Sequence, residues 1–176
     1  MSLLRFLGIG GASRNRESEP VSLAEIGAQL DALPPEEARF VAAFSYLLAR
    51  VAAADLRTDD VERDSIANRL ESFADIDHDL AGILADTAIQ AVTAHEASDD
   101  HLVARAFREM TEKPERIRLL RCLYAVAAAD KNISTVEDNE IHEVAQAIGV
   151  GHPDVVNLRL EFKKYLGTLK PLPSER

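Results

Sequence analysis

From residue 22 onward the apolar positions of this chain recur every three to four residues, and no stretch reads as a strand. That spacing gathers apolar side chains on one face of a helix. Ser22, with Glu25 three residues on, predicts a capped helix to about Leu33, which Pro34 and Pro35 end. Pro35 suits the opening position of the next helix, Glu36 to about Ala54, with Phe40, Ala43, Phe44, Leu47, Leu48 and Val51 along one face. A helix from Asp59 carries Val61, Ile66 and Leu70, and one from Asp77 or Asp79 carries Leu80, Ile83, Leu84, Thr87, Ile89 and Val92. After a polar break at Ser98, Asp99 and Asp100, a short helix runs through Leu102, Val103, Ala106 and Phe107. Three more are expected over about Pro114–Ala129, Ser134–Ile148 and Pro153–Leu166. The expectation is an all-α, compact bundle of about seven to eight helices spanning 22–170. A glycine- and serine-bearing arm over 1–21 precedes it and a short tail over 171–176 follows.

Two stretches of this pattern coincide when shifted by 75 residues. Leu48 matches Leu123, Val51 matches Val126, Ala52-Ala53-Ala54-Asp55 match Ala127-Ala128-Ala129-Asp130, Val61-Glu62 match Val136-Glu137, and Ile66 matches Ile141. Generic amphipathic helices do not share both an Ala-Ala-Ala-Asp end and a Val-Glu seven residues on. The chain therefore reads as an internal duplication with a pseudo-two-fold relation, its units near 36–95 and 114–168. In each copy an alanine-rich helix ends at an Asp and a short turn follows. Asp59 or Ser134 then caps the next helix, with Glu62 or Glu137 placed to close a capping box.

This duplicated motif resembles the TerB-like family, the tellurite-resistance and stress-associated helical domains also found in certain membrane-anchored J-domain co-chaperones. The family pattern is a helix ending in Ala-Asp, a turn of the Gly-x-Ile-Ser/Thr type, and a Glu opening the next helix. Ala129-Asp130-Lys131-Asn132-Ile133-Ser134-Thr135-Val136-Glu137 follows it except at Lys131 and Asn132. Ala54-Asp55-Leu56-Arg57-Thr58-Asp59-Asp60-Val61-Glu62 departs further, lacking the glycine and the apolar turn residue. The resemblance spans roughly 36–168 and implies a stress-associated binding module.

Composition narrows the partners. With 20 Lys and Arg against 30 Asp and Glu, the formal charge is −10 and the pI about 5.0. Such a surface repels phosphate backbones, so nucleic acid is not an expected partner. No apolar run reaches the ~20 residues of a membrane span, so stable membrane insertion is not expected. The apolar start MSLLRFLGIGG is short for a signal peptide, and Gly8-Ile9-Gly10-Gly11 lacks the strand and the Gly-Lys-Ser/Thr of a phosphate loop. The single cysteine, Cys122, sits in an apolar helical run and reads as a packed thiol in a reducing compartment. A cytoplasmic protein is expected.

Chemistry is sparse. His152-Pro153-Asp154 spells the J-domain signature, but the helix before it, Glu137-Asp138-Asn139-Glu140-Ile141-His142-Glu143, is acidic where a J domain is basic. The tripeptide reads instead as a helix start, with Gly149 or Gly151 ending the previous helix. Asp130-x-Asn132-x-Ser134 has the oxygen spacing of a calcium loop, but Thr135 and Ile141 stand where an EF-hand needs Gly and Glu. If the two units pack about their pseudo-two-fold axis, Asp55, Glu62, Asp130 and Glu137 meet as four carboxylates that could bind a divalent cation. Acids at these positions are suspected ligands in the family the motif resembles. Separate helix-cap networks explain the same four residues without a cation. The five histidines show no His-x-x-x-His spacing, and His142, one turn from Asp138, reads as a surface pair. No nucleophile motif is present, so no enzyme is expected. Two functions remain: a binding module that takes a metal cation through the paired acidic motifs, or a protein-interaction scaffold with an acidic face and no metal. The partner protein is unidentified, and a homodimer is compatible with either.

Overall fold

A computed structural model describes residue 30 and residues 33–54, 59–74, 76–94 and 97–167. The expected arm over 1–21, most of the expected helix over 22–33, Asp55 with its turn over 55–58, and the tail over 171–176 lie outside the described residues. Among the described residues seven α-helices follow one another: α1 Pro35–Ala52, α2 Asp60–Ala74, α3 His78–Ala94, α4 Ala97–Met110, α5 Lys113–Ala127, α6 Thr135–Ala147 and α7 His152–Glu161. No strand occurs among the described residues, only an isolated parallel bridge between Ile133 and Leu166.

Helix α1 is the axis of the bundle and packs on α2, α3, α4, α5 and α6. Its apolar residues from Val41 to Ala52 are buried on every side, not on one face alone. A helix enclosed all round needs apolar residues all round, and its alanines Ala42, Ala43, Ala49 and Ala52 let neighbouring backbones approach. Ser45 fits there because its hydroxyl donates to the Val41 carbonyl at 2.7 Å, leaving no unpaired donor. On one flank Phe44 stacks on Phe73 of α2 at 4.2 Å between ring centroids, and Phe40 stacks on Phe73 and on Phe107 of α4. These rings lock α1, α2 and α4 together.

The two motif copies fold alike, bond for bond. At the end of α1, Ala53 N–H donates to Ala49 and Ala54 N–H to Val51; at the end of α5, Ala128 donates to Tyr124 and Ala129 to Val126. Each pair lies 75 residues from its counterpart. The following helices start alike too. Glu62 N–H donates to Asp59 Oδ1 at 2.8 Å while Asp59 N–H donates to Glu62 Oε2 at 3.1 Å. Glu137 N–H donates to Ser134 Oγ at 3.1 Å while Ser134 N–H donates to Glu137 Oε2 at 2.7 Å. Both predicted capping boxes are closed. The shared valines Val61 and Val136 are 53% and 52% exposed, so they do not belong to the apolar face that holds Ile66, Leu70 and Ile141. Position two of each helix faces outward because position three turns its glutamate inward.

Several element ends differ from the sequence expectation. Ser98, Asp99 and Asp100 are not a break but the first turn of α4, where short polar and acidic residues are favoured. Asp77 rather than Asp79 caps α3, its Oδ1 accepting from Leu80 N–H at 2.9 Å. Helix α7 ends at Glu161 instead of Leu166; beyond it Ile133 N–H donates to the Tyr165 carbonyl and Gly167 N–H donates back to the Ile133 carbonyl. That clamp buries Leu166 against the second motif's turn, which explains an apolar residue at Ile133. Gly149, at φ 76°, ends α6, and Gly151 caps α7 so that His152-Pro153-Asp154 is its opening turn.

In the second motif's turn Lys131 adopts φ 71°, the left-handed region, where the TerB-like pattern has glycine. A side chain there costs about 1–2 kcal/mol, against about 0.5–1 kcal/mol of extra chain entropy for glycine. Lys131→Gly is therefore expected to raise stability by about 0.5–1 kcal/mol in urea unfolding. An equal loss instead would mean that the lysine side chain holds the turn.

Candidate functional site

Of the four acids read as a ligand set, Asp55 lies outside the described residues. Glu62 and Glu137 are nearly buried, 6% and 3% exposed, each with one carboxylate oxygen committed to the cap of its own helix. Asp130 is exposed, and its Oδ1 accepts from Asn132 N–H at 2.7 Å, an Asx turn that starts the Lys131 elbow. Among the described residues no group of three or more His, Cys, Asp or Glu side chains is arranged to hold a metal ion. Glu62, Asp130 and Glu137 therefore do not form a three-carboxylate set.

Immediately after each capping glutamate comes an ion pair to the next helix, with the charges exchanged between the copies. In the first copy Arg63 holds Asp86 of α3 through two nitrogens at 2.6 and 2.7 Å. In the second, Asp138 holds Arg159 of α7 through Nε at 2.9 Å and Nη2 at 2.8 Å. Asp138 is buried, and the buried Tyr124 hydroxyl donates to its Oδ1 at 3.3 Å. Burial, reinforced by the Asp138 charge, pushes the Tyr124 phenol well above its ordinary range. His142 stands 3.9 Å from the same Oδ1, so Arg159, not the expected histidine, is the main partner of Asp138. The α6–α7 elbow is thus fastened by one charged pair with its remaining lone pairs engaged, as a buried charge requires.

A second polar cluster surrounds Arg50, the one charged residue within the buried run of α1. Its guanidinium meets the Glu140 carboxylate, lies 3.4 Å from Asp100 and 3.6 Å from Glu143, and so faces three acids from α4 and α6. Tyr46 donates to Asp100 at 2.6 Å. Burial is the largest influence on the Glu140 carboxyl and raises it above its ordinary value of 4.5; Arg50 opposes this, and Glu143 and Asp100 add to it. Sequence reading missed this cluster and the Asp138–Arg159 pair. Their members are far apart in the chain, and only the sight of an Arg inside an apolar helix hints at a hidden acid.

A family model described as Tellurite resistance protein TerB matches residues 39–160. The chain belongs to the TerB family. The match runs from within α1 through nearly all of α7, so the elbows, both capping boxes and the Arg50 cluster all lie inside the TerB domain. No curated protein and no solved structure matches the chain. Among the described residues no helix of this TerB domain is long and apolar enough to cross a membrane. Cys122 is half-buried on α5, and burial raises its thiol above the ordinary value.

The Glu140 shift fixes the sign of a pH effect. The folded state holds the Glu140 proton more tightly than the unfolded chain, so its contribution is present below the unfolded value near 4.5 and lost as pH rises through the raised folded value. Urea unfolding of Glu140→Gln from about pH 4 to about pH 7 should show stability gained relative to the parent as pH rises. Arg50 keeps Asp100 and Glu143 as partners in that variant. A difference between the two proteins that is flat with pH would refute the assignment.

Proposed function

We propose that this TerB domain is a non-catalytic, stress-associated binding module of the cytoplasm that works by recognising a protein partner. Its motif glutamates serve the fold, and its surface serves the partner. The observation that supports this reading most is the pair of closed capping boxes. Each motif glutamate is turned inward onto its own helix start, an arrangement that stabilises an elbow and leaves little of the carboxylate for a shared ligand. Buried Asp138 and partly buried Glu140 answer to named cations, Asp138 to Arg159 and Glu140 to Arg50. Tellurite resistance, as the family's description has it, supports a protective role without naming a reaction.

The competing reading is a divalent cation held through Asp55, Glu62, Asp130 and Glu137, and the oxygen spacing of Asp130, Asn132 and Ser134 supports it. Thermal unfolding of EDTA-stripped protein with Ca²⁺, Mg²⁺, Mn²⁺ or Zn²⁺ separates the two. A native-state ligand at a hundred times its Kd adds ~2.7 kcal/mol and visibly raises the midpoint. The partner reading expects no cation-specific rise. A rise that disappears in Asp130→Ala would replace it with the cation reading.

A further inference from the structure

The groove between α2, α5 and the residues just after α7 runs against the charge of the rest of the molecule. Arg69 of α2 and Arg118 and Arg121 of α5 line it, with Phe73, Cys122 and Phe162 among its apolar residues, around a volume of about 450 Å³. No acid lines it, although acids outnumber bases 30 to 20 in the chain. Elsewhere Arg50, Arg63, Arg105 and Arg159 each meet a carboxylate. Here Arg121 is steadied at the rim by Glu161, through hydrogen bonds of 3.2 and 3.1 Å. Among the described residues neither Arg69 nor Arg118 has a carboxylate within ion-pairing distance. The Arg118 guanidinium carbon sits over the Phe73 ring, 4.4 Å from its centroid, and Arg118 is exposed, so a planar acceptor can reach it.

We propose that this groove binds an acidic segment of a partner protein, its carboxylates on Arg69 and Arg118 and an apolar side chain against Phe73 and Phe162. This names the partner class for the binding role above and rests on that role. Charge complementarity selects the occupant. Guanidinium forks match carboxylates two bonds at a time, and the neighbouring aromatic surface rewards an apolar anchor. A long polyanion is disfavoured, because a net charge of −10 works against a nucleic-acid backbone or an anionic bilayer that extends beyond the groove. A short acidic segment ends before that repulsion accumulates.

The groove carries its own reporter, since Cys122 is the sole cysteine of the chain and lies among the lining residues. The probe is a short fluorescent peptide of glutamates around one phenylalanine, with a lysine-for-glutamate peptide as control. The full chain should bind the acidic peptide saturably by anisotropy, and only the acidic peptide should depend on Arg69 and Arg118, since a net charge of −10 attracts the basic one elsewhere. Affinity should fall about tenfold in Arg69→Ala and in Arg118→Ala, the loss expected for one charge-assisted contact. Both arginines are exposed, and far-UV circular dichroism should show both variants folded. Saturating peptide should also slow iodoacetamide alkylation of Cys122 in the parent protein under mildly alkaline conditions. Absence of saturable binding overturns the proposal. Binding that ignores both substitutions, or leaves Cys122 alkylation unchanged, overturns the groove while partner recognition elsewhere survives. Protection of Cys122 by duplex DNA or anionic vesicles instead of the peptide would hand the groove to a polyanion. The cation titration above reads an independent property, so its failure and this one are distinguishable.

Discussion

Enclosing α1 on every side is the constraint from which most of this structure follows. A surface helix can leave half its circumference to water, whereas α1 must satisfy five neighbours at once. Small residues are one answer, because each alanine removes side-chain volume where a backbone has to come close. The aromatic stack of Phe40, Phe44, Phe73 and Phe107 fills the flank toward α2 and α4. Arg50 is the place where the constraint is strained. A guanidinium in that run would be expensive alone, and α4 and α6 deliver acids to it, so the charge on the central helix dictates where two outer helices must dock.

The duplicated elbow is the second organising device, and it shows how one backbone solution tolerates opposite side-chain chemistry. The alanine exit, the capping box, the outward valine and the inward glutamate are common to both copies. One position later the copies diverge, Arg63 reaching Asp86 and Asp138 reaching Arg159. What is kept between copies is the requirement for an ion pair to the next helix, not the sign of either partner. Burial differs in step. Arg63 and Asp86 are each a third or more exposed, which screens their attraction, while Asp138 is buried and recruits Tyr124 as well.

Local chemistry was legible in the sequence and distant chemistry was not. Asp59-x-x-Glu62 and Ser134-x-x-Glu137 could be read as capping boxes because each involves residues within one turn, and both close as read. The all-α bundle was legible for the same reason, since its period is a local property. Val61, read on the same helix as Ile66 and Leu70, is exposed, because hydrophobicity alone does not say which side a helix's first turn presents. The end of α7 was misread because Phe162 and Leu166 keep helical spacing, while the clamp on Ile133 that diverts the chain comes from residues far away in sequence. Arg50 with Asp100, Glu140 and Glu143, and the groove of Arg69, Arg118 and Arg121, exist only once helices are packed. Composition pointed the wrong way for the groove, because a net charge averages over faces.

The acids of the motif illustrate how a family signature can be written by folding alone. A carboxylate at the third position of a helix is recurrent wherever a capping box is needed, and it is buried because the elbow wraps it. Buried, recurrent acids in two symmetric copies are also what a metal site would leave in a sequence, so pattern by itself does not separate the two origins. Where the oxygens are spent is what favours the folding origin. Glu62 and Glu137 each spend one on the backbone N–H three residues earlier, and Asp130 spends one on its own turn. Oxygens used in this way help set the angle between consecutive helices, and under the proposed partner role recognition falls to surfaces outside the motif, the arginine groove among them.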